Sequence, residues 1–160
     1  MPTTTPSEGA AASIEVRRAT GQDLPAINAV IAAAYAKYLV RMDKAPAPLS
    51  RDYGPSVREG TTWVAGSPIV AVLTLYQRED HVYVENVAVD PSAQGLGLGR
   101  ALLDFAEREA VRLGVRRLAL VTHEAMTENQ SIYAHLGYVE VERRAEDGFR
   151  RIYLEKRLAE

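Results

Sequence analysis

The chain has 160 residues, enough for one domain around a single core. A net charge of −2 argues against a general nucleic-acid binder, and no apolar run approaches the roughly 18 residues of a membrane helix. With no cysteine there is no disulfide framework, thiolate metal site or cysteine nucleophile, and His81, His123 and His135 lack metal-ligand spacing, so no metal is expected.

Residues 1–12 carry neither a basic start nor an apolar stretch, so they do not read as a signal peptide. Their Thr, Pro, Ser, Gly and Ala content predicts a disordered tail ahead of a single domain over residues 13–160, and a cytoplasmic location. Residues 14–18 alternate as a first strand. Asp23 is the expected N-cap of a helix over residues 24–38, with Pro25 in its first turn and an apolar stripe of Ile27, Val30, Ile31 and Ala34. Residues 42–60 hold three prolines and read as a loop with one short helical piece. Three strands follow, over residues 61–65, 69–77 and 81–89, separated by short turns and therefore antiparallel.

Next comes the most informative stretch, Gln94-Gly95-Leu96-Gly97-Leu98-Gly99-Arg100. It links a strand to a helix over residues 98–113, which Gly114 ends. Glycines at such a turn let backbone N–H groups approach a ligand, and the helix start adds unpaired donors and partial positive charge. The pair predicts a site for a phosphate-bearing ligand. No lysine or hydroxyl follows Gly99, so the Walker A pattern fails. In the dinucleotide fingerprint the third glycine would fall on Arg100 or Leu102, so that fit is also poor.

Residues 117–122 read as a short apolar strand beside a parallel neighbour. Thr127 and Gln130 fit a capping box for a helix running to Leu136, with Gly137 at its C-terminal turn. Asn129 and Tyr133 lie four apart and share a face of that helix. Residues 138–143 and 149–157 form a final hairpin turning at Asp147-Gly148. The expected fold is α/β of the α+β type: a mixed, mostly antiparallel central sheet of about seven strands with helices on both faces.

The run Gln94-x-x-Gly97-x-Gly99, the preceding Glu85-Asn86-Val87-Ala88-Val89 strand, and Asn129-x-x-x-Tyr133-x-x-Leu136-Gly137-Tyr138 occur in one order. That order resembles the cofactor half of the GCN5-related N-acetyltransferase (GNAT) superfamily. The motifs span residues 83–138, and the earlier part matches in layout only. The resemblance implies acetyl-CoA as acyl donor. It implies that Val87, Ala88 and Val89 offer backbone groups to the pantetheine arm, and that Gln94, Gly95, Leu96, Gly97, Leu98, Gly99 and Arg100 wrap the pyrophosphate. Asn129 would meet the pantetheine, and Tyr133 would lie near the sulfur.

Amine acetylation requires a neutral amine, a stabilised oxyanion and a proton for the departing thiolate. A phenol is protonated at neutral pH, so Tyr133 suits the general acid. A backbone N–H near Val87 suits the oxyanion. Glu85 is the expected base, since a carboxylate inside an apolar strand calls for a reason and burial would make it a better base. Strict alternation places Glu85 with Tyr83 and Val87, opposite Asn86, unless a bulge intervenes. His123 is the rival base. Tyr35, Tyr38 and Tyr53 are candidate acceptor contacts in an aromatic, proline-rich stretch with little acidic character.

The expected activity is acetyl transfer from acetyl-CoA to a primary amine of a small molecule, by direct attack in a ternary complex. A protein or peptide N-acetyltransferase and a non-catalytic acetyl-CoA-binding module are the alternatives. The first has precedent in ribosomal-protein acetylating enzymes with a similar Asn and Tyr. A homodimer through the last strand or the first helix is compatible with the pattern.

Overall fold

A computed structural model describes residues 14–159, so the tail expected over residues 1–12 lies outside the described residues. The strands are β1 (Val16–Arg18), β2 (Thr62–Ala65), β3 (Ala71–Gln77), β4 (Val82–Val89), β5 (Arg117–His123), β6 (Val139–Glu146) and β7 (Phe149–Arg157). The helices are α1 (Leu24–Tyr35), α2 (Gly54–Glu59), α3 (Leu98–Arg112) and α4 (Thr127–His135). One seven-stranded sheet runs in the order β1-β2-β3-β4-β5-β7-β6, and the β4–β5 pair alone is parallel. This is the mixed sheet the sequence predicts. No helix among the described residues is long and apolar enough to cross a membrane.

Alternation along the central strands divides the core into two layers. Trp63, Leu73, Val82 and Val84 face α3, where Leu102, Leu103, Ala106 and Ala110 meet them. Val64, Val72 and Ala88 face α1, which supplies Ile27, Val30 and Ile31. Complete burial of side chains such as Leu73, Leu102 and Leu118 stabilises the fold by about 1.5–3 kcal/mol each.

Several local expectations shift. Asp23 does not cap α1 with its side chain. Its carboxylate accepts from the Arg17 guanidinium at 2.8 Å and from the Thr20 N–H at 2.8 Å, closing a 3₁₀ turn just ahead of the helix. Those bonds, the Arg17 one foremost, hold its pKa down at about 2. α1 ends at Tyr35, and a 3₁₀ turn carries the chain on to Tyr38. The loop after it holds two helical pieces, a 3₁₀ turn over Ala47–Ser50 and α2. β5 is buried on one face only, because its other face opens on a cavity. The Thr127 capping box is absent. Gln130 instead donates its amide to the carbonyls of His123 and Glu124, drawing α4 back onto the end of β5. The Asp147-Gly148 turn forms as expected, with both residues left-handed.

Two irregularities in β4 matter most for function. Thr74 pairs with Asn86 but Leu75 pairs with Val84, so Glu85 is an extra residue in a bulge. Strict alternation therefore fails. Asn86 lies on the α1 side with Tyr35, Glu85 lines a cavity with Tyr83 and Tyr35, and Val87 packs on the α3 side. Beyond the bulge, β4 and β5 separate. Their pairing stops at Val84 with Leu120, while β4 stays with β3 and β5 stays with β7.

The bulge is held from the α1 side by buried polar contacts. Tyr35 donates to Asn86 Oδ1 at 2.7 Å, Asn86 Nδ2 donates to the Tyr53 hydroxyl at 3.0 Å, and Tyr53 donates to the Pro48 carbonyl at 3.1 Å. Asn86→Ala removes the central link, leaving the Tyr35 hydroxyl without its acceptor and the Tyr53 hydroxyl with the Pro48 carbonyl alone. It should lower stability by about 1–3 kcal/mol, read from the urea midpoint at unchanged slope.

Candidate functional site

The parting of β4 from β5 leaves backbone groups without strand partners. The Asp90 N–H donates to the Val70 carbonyl on the β3 side. Two-residue alternation then turns the N–H and C=O of Val87 and Val89 toward the gap. The Val89 carbonyl accepts the Gln94 side chain there at 3.2 Å.

A cleft of about 480 Å³ occupies this gap. One wall is Val87, Ala88 and Val89. The floor of one end is Gln94, Gly95, Gly97, Leu98, Gly99 and Arg100, and the opposite wall carries Asn129 and Tyr133. The two sequence motifs, far apart in the chain, therefore meet across one cavity. Leu96 is the exception: it is exposed and points no side chain into the cleft. Asn129 sits with its amide 3.9 Å from the Met126 sulfur.

The glycine turn works differently from the expectation that Gly97 and Gly99 clear space together. Gly95 and Gly97 have φ of +84° and +81°, which side chains with a Cβ rarely adopt. Gly99 is inside α3, and a Cβ there would make only ordinary contact with Val89 at 4.0 Å. Nothing lies within 4 Å of a Cβ added at Gly95 or Gly97. The conformation, not crowding within the protein, demands glycine at those two positions. It turns the chain so that the first N–H groups of α3 end at the cleft, where the helix supplies partial positive charge.

Tyr133 is half-buried, its ring 5.9 Å from that of Tyr138. Burial, reinforced by Tyr38, pushes its pKa well above the usual tyrosine value. Tyr38 is buried and roofs the same cleft, with Lys37 and Arg41 stacked on its ring. Both cations also bind Glu128 at the start of α4, Lys37 at 3.1 Å and Arg41 at 2.7 Å. The Arg41 bond, with help from Thr127 and Lys37, holds the Glu128 carboxyl down at about 2. This clasp joins residues 87 positions apart, and no spacing in the sequence signals it.

A second cavity of about 660 Å³ lies on the α1 side of β4 and β5. Tyr35 borders both cavities, so the two meet at the parted strands. Glu85 and His123 line this chamber. Glu85 does not stand in wholly apolar surroundings, because the Arg51 guanidinium forms an ion pair with it. The two ring nitrogens of His123 face the N–H of Ala125 at 2.9 Å and the N–H of Arg150 at 3.2 Å, and a neutral imidazole can accept from only one of them. Burial lowers its pKa, opposed by Glu124 and aided by Arg150 and Arg151. Protonating the second nitrogen would set N–H against N–H at both positions. Tyr53 lines neither cavity. It is buried behind the wall, tied to Asn86.

The sequence reading did not anticipate Tyr83, Arg51, Arg78, Phe149 and Tyr153 as chamber walls. They come from four separate segments, and only the sheet order brings them together. The loop after α1 closes over this chamber. Lys44 donates to the Asp147 carbonyl at 2.8 Å and stacks on Phe149 at 4.8 Å, bridging the loop to the β6–β7 turn.

The family model for the acetyltransferase (GNAT) family matches residues 31–138. The chain belongs to that family. Mycothiol acetyltransferase of Geodermatophilus obscurus is 44% identical over 57 residues, spanning 36% of this chain and only 18% of that protein. Among solved structures, the PaiA N-acetyltransferase of Thermoplasma acidophilum in complex with coenzyme A superposes with a TM-score of 0.76 at 16% identity, covering 91% of this chain and 99% of that one. The ribosomal-protein-S18-alanine N-acetyltransferase of Escherichia coli gives 0.71 at 22% identity, covering 92% and 95%. Both likenesses are of fold.

The two kinds of glycine can be separated in the protein alone. Gly97→Ala forces a left-handed alanine and should cost about 1–2 kcal/mol. Gly99→Ala, at a helical position, should not lower the thermal midpoint.

Proposed function

We propose that the protein transfers an acetyl group from acetyl-CoA to a primary amine of a small molecule, by direct attack in a ternary complex. The observation that carries this is the meeting of two cavities at the parted strands, with Tyr133 walling one, Glu85 walling the other and Tyr35 bordering both. The first cavity suits the acyl donor. Gly95 and Gly97 leave open space at a helix start that favours a pyrophosphate, and the unpaired edge of Val87 and Val89 suits an amide-bearing arm. Acetyl-CoA supplies an activated thioester.

The remaining work falls to side chains and backbone of this chain. The Val87 N–H, aimed into the gap, is an oxyanion donor. Tyr133, kept protonated by burial, gives its proton to the departing thiolate. Glu85 takes the proton of the attacking amine, its orientation held by Arg51. His123 is the weaker base, since backbone N–H groups face both its ring nitrogens. The bridge from Lys44 to Asp147 supports a small acceptor over a protein tail, because it closes the chamber where an extended peptide would lie.

A thiol-release assay against amines, amino acids, antibiotics and peptides tests the reading. Tyr133→Phe should lower kcat by about 10²- to 10⁴-fold and leave acetyl-CoA binding intact, and unchanged turnover removes it as the acid. Glu85→Gln should lower kcat and alter the pH profile, whereas an unaltered profile moves the base elsewhere. The acid acts in its protonated form and its pKa is raised, so deprotonation of Tyr133 should produce no fall in rate between about pH 8 and 10.

A further inference from the structure

The chamber that holds Glu85 is lined by three glutamates and three arginines, and they are not all paired. Its carboxylates each have an arginine: Glu85 has Arg51, Glu142 has Arg144 and Glu155 has Arg117. Of its arginines, Arg51 is matched by Glu85, and Arg151 is matched by Glu146 and Asp147. Arg78 also lines the chamber, and among the described residues it forms no ion pair. The lining charges balance in number, and Arg78 is the one lining arginine without an acidic partner among the described residues.

Arg78 is exposed, yet its place at the chamber is defined. Its backbone N–H donates to the His81 carbonyl at 2.8 Å, fixing the turn between β3 and β4. Its guanidinium lies 5.3 Å from the ring centroid of Tyr76 and 5.8 Å from that of Tyr83. Two tyrosine faces thus hold it while its N–H groups keep no acidic partner. Tyr83 stands two residues before Glu85 on β4, and its hydroxyl feels Glu85, Arg51, Arg151 and Arg78 together. The unmatched guanidinium and the candidate base accordingly flank one aromatic side chain.

We infer that the acceptor is an amine that also bears a carboxylate, and that Arg78 is the residue that selects it. This rests on the acetyltransferase reading above and adds the substrate class to it. The amine lies toward Glu85 and the carboxylate toward Arg78, with Tyr83 between them. The planar fork of an arginine donates to both oxygens of a carboxylate. Three lining arginines balance three lining glutamates, so an amino acid, neutral overall as its zwitterion, suits the chamber better than a phosphate monoester with close to two negative charges. Tyr83, Tyr153, Phe149 and Met42 supply apolar wall for the body that joins the two groups.

The test is kcat/KM for the amino acids, their carboxamides and matched aminoalkyl phosphates, in the unaltered protein, Arg78→Met and Arg78→Lys. The readout is the ratio of acid to carboxamide. Comparing this ratio between proteins cancels the difference in amine basicity. The unaltered protein should prefer an acid, Arg78→Met should lower the ratio roughly ten- to a hundredfold, chiefly through KM, and Arg78→Lys should recover part of it. A ratio unchanged by Arg78→Met, or a preference for carboxamides or phosphates, overturns the inference and leaves the amine acetyltransferase intact. Turnover of none of these amines or of the wider acceptor panel, with acetyl-CoA still bound, overturns the small-molecule reading and the inference with it.

Discussion

The separation of β4 from β5 is the constraint on which the rest depends. A parallel pair that continued past Val84 and Leu120 would satisfy its own backbone and leave no cleft. Instead the bulge at Glu85 adds a residue and twist to β4, and β4 follows β3 while β5 follows β7. The unpaired edge of Val87 and Val89 is the consequence. Left buried and unpaired, such groups would be costly, so their exposure to a cavity is what makes the arrangement tolerable. The buried tyrosine and asparagine contacts behind the bulge then fix where the opening falls.

The two cavities are built by different means. The donor side is mostly backbone: strand edge, left-handed glycines and the first turn of α3. Such N–H and C=O groups suit a phosphate and an amide on the proposed reading, and backbone recognition tolerates variation in neighbouring side chains. The acceptor side is mostly side chains, drawn from the loop after α1, the β3–β4 turn, β5 and β7. Its electrostatics come from pairing, with each carboxylate matched to an arginine. The clasp of Lys37, Arg41 and Glu128 over Tyr38 lies on the donor side, and the Lys44 bridge lies on the acceptor side. Each is exposed enough that its energetic contribution is modest, so positioning is its main effect.

Much of the fold was legible because it depends on local rules. Alternating apolar residues gave the meander, the apolar stripe gave α1, and Asp147-Gly148 gave the last turn. The errors are instructive. Thr127 and Gln130 have capping-box spacing, yet Gln130 reaches the carbonyls at the end of β5, a tertiary contact that outcompetes the local one. Asp23 has cap chemistry but is taken by Arg17 and Thr20 one turn earlier. Glu85 drew attention as a charge in an apolar strand, but its bulge and its Arg51 partner carry no local signal.

By itself the sequence determined the order of elements, the mixed sheet and most of the residues that line the cleft between the parted strands. Glycines that require positive φ, an Asn and a Tyr one helical turn apart, and the strand before them are short-range patterns, each readable within a few positions. Only the tertiary structure decided which face Glu85 takes, that Tyr53 is buried behind the wall, and that Arg78 stands unmatched in the acceptor chamber. Those facts follow from a one-residue slip in strand register and from charge pairs between distant segments. Neither leaves a trace in local spacing, because register and pairing are settled by packing of the whole sheet.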